Sequence, residues 1–272
     1  MKEVLENEMD PQPEYIKQGY KGSGMLKDKV AIITGGDSGI GKAIAVLFAI
    51  EGAKVAISYH SSDKDAKNTL SEIKKYSKAS ILIKGDLTDS KHSKKIIKKV
   101  MEEFGRLDIL VNNAAVQFPQ DELTAISDDQ IQTTFATNIF AYMYLCREAL
   151  PHMKEGASII NTTSVTAYKG HEKLIDYSAT KGAIVSFTRS LSANLAPKKI
   201  RVNGVAPGPI WTPLIPSTFP KDDVDTFGEN VPLNRPGQPS EVAPCYLFLA
   251  SDQASYITGQ ILHPNGGEII NT

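Results

Sequence analysis

Tyr177 and Lys181 stand four residues apart in Tyr177-Ser178-Ala179-Thr180-Lys181. On a helix that spacing puts both side chains on one face. A free phenol titrates at about 10 and is a poor base at neutral pH. An ammonium a few ångströms away is expected to stabilise the phenolate and bring its pKa closer to working pH. Such a pair moves a proton on and off an oxygen. A hydroxyl donor aimed at that oxygen would complete the site, binding it as charge builds. His171 lies in the polar loop Lys169-Gly170-His171-Glu172-Lys173. It reads as exposed or substrate-lining, although imidazole is the side chain that titrates nearest neutrality.

A second chemical motif lies near the start of the chain. Gly35, Asp37, Ser38, Gly39, Ile40 and Gly41 fall in Thr34-Gly35-Gly36-Asp37-Ser38-Gly39-Ile40-Gly41. The apolar run Val30-Ala31-Ile32-Ile33 precedes it, and Ile40, Ala43, Ile44, Leu47 and Phe48 follow at helical spacing. A glycine-rich turn between a strand and a helix lets the backbone approach a pyrophosphate, and the helix directs unpaired N–H groups at the anion. Strand–turn–helix is the context a dinucleotide cradle requires.

The elements that must position these groups alternate. Strands are expected at 30–33, 54–58, 81–83, 109–111, 158–161, 201–205 and 260–263. Helices are expected at 40–51, 63–76, 96–104, 137–153, 177–195 and 241–250. Strands separated by crossover-length helices mean a parallel sheet covered on both faces. The expected class is α/β: a single doubly wound Rossmann-type domain with a parallel sheet of about seven strands, over 29–272. Residues 1–28, punctuated by Pro11, Pro13, Gly19, Gly22 and Gly24, form an N-terminal extension. Its sparse apolar points leave a mobile tail and a packing arm both open. The proline-rich stretch at about 207–239 sits where a substrate lid would.

Composition narrows the partners. The formal net charge is −1, so there is no positive field for nucleic acid or an anionic membrane. The lysines of 91–99 read as the solvated face of a helix. Cys146 and Cys245 read as core thiols, with no Cys/His cluster for a metal. An acidic start without an apolar signal region, and no run long enough to span a bilayer, lead us to expect a cytoplasmic protein.

The glycine spacing is TGxxxGxG, and there the chain resembles the short-chain dehydrogenase/reductase family, from about residue 29 to 267. The resemblance implies a nicotinamide cofactor, NAD(P), and a small alcohol or carbonyl substrate such as a sugar, aldehyde or ketone. It gives Asp86, with Leu87 beside it, to the adenine ring. It gives Asn112-Asn113-Ala114-Ala115 to the cofactor wall, with Ala115 where the family usually has glycine. Ser164, 13 residues before Tyr177, matches the family's catalytic serine. Asn138 matches its catalytic asparagine, at the opening of the 137–153 helix. Lys181 gains a second role, holding the nicotinamide ribose. Pro207 and Gly208 resemble the segment under the nicotinamide, with Ile210 and Thr212 contacting its carboxamide and phosphate. The family also implies a homotetramer, formed through the 137–153 and 177–195 helices and the last strand.

The ribose end is less decided. Tyr59 and His60 follow the second strand, with no acid before Asp63 to bind the adenosine ribose and no basic residue to grip a 2′-phosphate. Asp37 tips the balance marginally to NAD, with NADP still open. Two rival readings share the scaffold: a non-catalytic nucleotide-binding redox sensor, and a cofactor-retaining epimerase or dehydratase. A sensor needs only the cradle, whereas this chain also keeps Asn138, Ser164, Tyr177 and Lys181.

Overall fold

A strand covered on both faces must be apolar at nearly every position. Val30–Thr34 (β1) meets that demand and is buried along its whole length. In this computed structural model, which describes residues 4–270, β1 turns into Gly39–Ile50 (α1). Lys54–Tyr59 (β2), Asp63–Lys74 (α2), Ile81–Lys84 (β3) and Ser90–Phe104 (α3) follow. Leu107–Asn112 (β4) then leads to Asp128–Phe135 (α4) and Ala141–Ala149 (α5). The second half runs Met153–Thr162 (β5), Thr166–Lys169 (α6), Ile175–Leu195 (α7) and Arg201–Val205 (β6). Leu214–Thr218 (α8), Lys221–Asp225 (α9), Pro239–Ala250 (α10) and Ile261–Leu262 (β7) complete it. Residues 1–3, part of the acidic start, and 271–272, the end of the expected domain, lie outside the described residues.

All seven strands are parallel, in the order β3-β2-β1-β4-β5-β6-β7. The chain steps outward from β1 to β3, then crosses back to β4 on the other side of β1. That reversal opens a crevice at the carboxyl ends of β1 and β4, where doubly wound folds bind ligands. On one face Ala43, Leu47 and Phe48 of α1 pack with Val242 and Tyr246 of α10 against Val55 and Ile57. On the other, Ile96 and Val100 of α3 and Leu145 of α5 meet Val30, Ile32 and Leu110. Each such burial contributes about 1.5–3 kcal/mol before chain entropy is charged against it.

The expected helix at 137–153 is the main departure. The structure has α4, then a π-helical stretch Ala136–Phe140, then α5. β5 already begins at Met153 rather than at 158. Its first residues, Lys154-Glu155-Gly156, are exposed and polar, so no apolar run marks them.

Residues 4–28 lie against the sheet-and-helix body. The Glu51 carboxylate at the end of α1 anchors part of them. It accepts hydrogen bonds from the Ser23 and Met25 N–H groups at 3.0 and 2.9 Å and from the Tyr20 hydroxyl. Burial by itself would raise this carboxyl, but those bonds hold it below its ordinary value. Between β6 and α10, a parallel bridge from Ile210 to Gly237 pins the base of the 207–239 segment. Among the described residues no helix is long and apolar enough to cross a membrane.

Candidate active site

α7 starts just inside the carboxyl edge of the sheet and carries both Tyr177 and Lys181. Asp176, in its first turn, fixes that start. One carboxylate oxygen accepts the Tyr177 N–H at 2.9 Å; the other accepts the Thr134 hydroxyl at 2.7 Å and the Gln130 amide at 3.1 Å. Lys181 is 1% exposed and donates from Nζ to the Thr162 carbonyl at 2.9 Å, with Nζ 5.3 Å from the Tyr177 ring centroid. The Ser164 hydroxyl accepts the Thr166 N–H at 3.2 Å and lies close enough to the Tyr177 phenol to favour its ionised form. Ser164, Tyr177 and Lys181 therefore stand close together, all three lining one cleft.

Their ionisation differs from the sequence expectation. Burial pushes the Tyr177 phenol up to about 12, and the neighbouring Ser164 hydroxyl offsets only part of that rise. Burial also pushes Lys181 down to about 7. The expected stabilisation of a phenolate by an ammonium is outweighed, because each charged form loses its water. The pair is set to hold a proton on the phenol at neutral pH.

The glycine turn forms the floor of a cleft of about 1470 Å³ that runs from Asp86 and Leu87 to Tyr177. Gly35, Asp37, Ser38, Gly39 and Ile40 line it, as do Tyr59, His60, Asn113, Ala114 and Ala115. Ser164, Lys181, Pro207, Gly208, Ile210 and Thr212 line it as well. Gly39 takes φ +54°, and a Cβ there would press on Thr212 at 3.2 Å. Gly41 stands outside the cleft. A Cβ on it would lie 1.9 Å from the Gly35 carbonyl oxygen, so glycine is what lets α1 approach β1 this closely. The turn is a cradle that side chains would fill, which fits an extended dinucleotide.

Asn138 is not on the cleft wall, nor does it open a helix. It sits within the π-helical stretch, fully buried, accepting the Val116 N–H at 2.8 Å and donating to the Val116 carbonyl at 2.9 Å and Thr180 at 3.1 Å. Local π geometry often marks functional positions in helices. Here it aims Asn138 at the strand-to-helix loop and at α7 together. His171 lines the cleft at its exposed rim. Tyr59 turns its hydroxyl to Asp63 at 2.9 Å, and Lys84 takes the other oxygen of Asp63 at 2.9 Å. Among the described residues no group of three or more His, Cys, Asp or Glu side chains could hold a metal ion.

Three contributors have no role assigned by the sequence. Thr34 accepts the Asn113 and Ala114 N–H groups at 2.9 and 3.1 Å, sewing β1 to β4 beneath the cleft. Gln117, buried, donates to Thr218 at 2.9 Å and so links the loop after β4 to α8. Val4 lines the cleft from the N-terminal segment. The Asn113 amide also donates to the Thr34 and Gly35 carbonyls, and the place of Thr34 at the head of the glycine motif is its signal in the sequence. For the other two nothing local marks the partner.

A family model described as enoyl-(acyl carrier protein) reductase matches residues 35–268. The chain is 52% identical to a "Glucose and ribitol dehydrogenase" of Daucus carota, over 98% of this chain and 94% of that one. It is also 52% identical to "NADPH-dependent aldehyde reductase 1, chloroplastic" of Arabidopsis thaliana, over 98% and 95%. Among solved structures, a short-chain dehydrogenase of Burkholderia cenocepacia J2315 in complex with NADP superposes with a TM-score of 0.83. It shares 32% identity over 89% of this chain and 98% of that one. With the parallel sheet, the glycine cradle and the buried tyrosine–lysine pair on one page, the chain belongs to the short-chain dehydrogenase/reductase family of oxidoreductases.

Proposed function

We propose that the protein is an NAD(P)-dependent oxidoreductase that interconverts a small alcohol and its carbonyl compound, with Tyr177 as the acid/base. The observation that carries this reading is the Ser164–Tyr177–Lys181 group at one end of a cleft whose other end is a glycine cradle. A bound nicotinamide dinucleotide supplies the hydride donor or acceptor. Tyr177 gives its proton to the carbonyl oxygen in reduction and takes one from the alcohol in oxidation. Ser164 hydrogen-bonds the same oxygen and steadies its charge. Lys181 would hold the ribose of the cofactor, and Asn138 orders the proton path behind it through Val116 and Thr180. The 207–239 segment covers the substrate.

Gly35, Asp37, Ser38, Gly39, Ile40 and Gly41 would take the pyrophosphate and adenosine ribose, the last by its packing. Asp86, Leu87, Tyr59 and His60 would hold the adenine end. Asn113, Ala114, Ala115, Pro207, Gly208, Ile210 and Thr212 would hold the nicotinamide end. The relatives and solved neighbours include NADPH-dependent and NADP-bound proteins and one complexed with NADH, which supports NAD(P) but not the marginal balance toward NAD. The substrate is a sugar, polyol or aldehyde, the classes for which those relatives are named. The test is cofactor consumption: NADH and NADPH offered with aldehydes and ketones, and NAD⁺ and NADP⁺ with polyols and sugars. Turnover with at least one pair is expected; none across the set rejects the reading, and a redox sensor would then hold the field.

We also propose a cytoplasmic homotetramer. Phe140 and Met143, flanking the start of α5, and Ile175 on α7 leave large apolar side chains exposed on the helices implicated by resemblance. Light scattering is expected to give four chains per particle; a monodisperse monomer at working concentration refutes the assembly.

A further inference from the structure

Residues 4–14 cross three separate walls of the cleft. Glu6 is 6% exposed and does not line the cleft itself. One of its carboxylate oxygens accepts the N–H of Gly39, the first residue of α1, at 3.0 Å. The other pairs with the Lys42 ammonium, one turn further along α1. The Glu6 N–H donates to Asp65 on α2 at 3.2 Å. Two residues earlier, the Val4 N–H donates to the Ser217 hydroxyl on α8 at 3.0 Å. A stretch of three residues thus ties the glycine turn to α2 and to α8.

The rest of the strap is equally fixed. Met9 packs with Trp211 and Ile215, and the Trp211 indole donates to the Pro11 carbonyl at 2.7 Å. The Glu14 backbone bonds the start of α10, its carbonyl accepting the Ser240 N–H at 2.9 Å and its N–H donating to the side chain of Gln238, just before that helix, at 2.9 Å. The Tyr15 ring lies 4.2 Å from the Lys42 ammonium and covers it. Lys42 is 8% exposed, so Glu6 is the carboxylate that pairs with it in the described residues.

The first N–H groups of a helix have no intrahelical partner, and in a cradle they serve the bound anion. Glu6 takes the one at Gly39, whose backbone forms the cleft floor. Its pair with Lys42 holds that turn from behind, because neither buried charge tolerates losing the other. We infer that Glu6 is a positioning residue of the cofactor site, acting through Gly39 and Lys42, so that retention of the dinucleotide depends on the N-terminal strap. This rests on the reading that the cleft takes NAD(P).

Glu6→Gln keeps an acceptor for Gly39 but leaves Lys42 without a counter-charge. The dissociation constant of NADPH or NADH, followed by quenching of Trp211 or by nucleotide fluorescence, is expected to rise about tenfold, the loss of roughly one charge-assisted hydrogen bond. Turnover at saturating cofactor is expected to stay within about twofold, since the proton-transfer group is untouched. Glu6→Asp keeps the charge but cannot reach both partners, and an intermediate loss is expected; it also serves where Glu6→Gln folds poorly. A purely structural strap would lower the melting temperature and leave the dissociation constant unchanged, and that result overturns the inference. Tighter binding, from a released Lys42 attracting the phosphates, overturns it too. Wild-type protein that binds neither nucleotide refutes the cofactor reading instead.

Discussion

Tyr177→Phe is expected to lower turnover by about 10²–10⁴-fold, the range that a positioned acid/base supplies. The ring fits the same space, so melting temperature and cofactor affinity are expected to hold. The pH profile separates this account from a merely structural tyrosine. With its pKa pushed up to about 12, the phenol stays protonated across the neutral range. Carbonyl reduction consumes that proton and is expected to stay level from pH 6 to 9. Alcohol oxidation needs the phenolate, so its rate is expected to climb with pH, approaching tenfold per unit while ionisation limits it. Tyr177→Phe should lose both the rate and the slope. Steady-state assays in both directions check this, and an oxidation rate that falls as pH rises contradicts it.

Lys181→Met is expected to stabilise the fold while disabling the enzyme. Burial holds the Lys181 pKa at about 7, whereas the unfolded chain has the ordinary value near 10.5. Between those values the unfolded state binds a proton that the folded state does not, so wild-type stability rises with pH through that window. Below about 7 both states are protonated, and the full cost of the buried ammonium is present. Methionine removes a cost on the order of 2–4 kcal/mol and fills the same volume. It gives up one hydrogen bond to Thr162, worth about 1 kcal/mol. Urea denaturation at pH 7 should therefore show a net gain, with the pH slope reduced, and activity should fall at least 100-fold. A destabilised variant would mean that the Lys181 hydrogen bond outweighs its desolvation.

Much of this was legible in the residue order, for physical reasons. A parallel strand is apolar throughout, so Val30-Ala31-Ile32-Ile33 announces itself. A tight strand-to-helix turn needs glycine, so Gly35, Gly39 and Gly41 mark the cradle. Tyr177 and Lys181 meet because four residues make one helical turn.

Other features leave no such trace. α4 is polar apart from Ile131 and Phe135, so its apolar rhythm is faint; Ser127, which caps it by accepting the Gln130 N–H at 3.2 Å, was the available signal. The π-helical stretch then inserts extra backbone, so the pattern before Ala136 does not run in phase with that after Phe140. The family resemblance singles out Asn138, yet its partners depend on that local winding. Glu6 lies 33 residues from Gly39 and 59 from Asp65, and no local period connects them. The ionisation of Tyr177 is not legible either, because sequence shows the neighbouring ammonium but not how deeply both are buried.

A crystal structure with NADP and an unreactive alcohol bound in the cleft is the most direct measurement. The account predicts the Tyr177 oxygen and the Ser164 hydroxyl both within about 2.6–3.2 Å of the alcohol oxygen, with the carbinol carbon facing the nicotinamide ring. A phenol turned away from that oxygen in every subunit, with the 207–239 segment closed over the ligand, would contradict it.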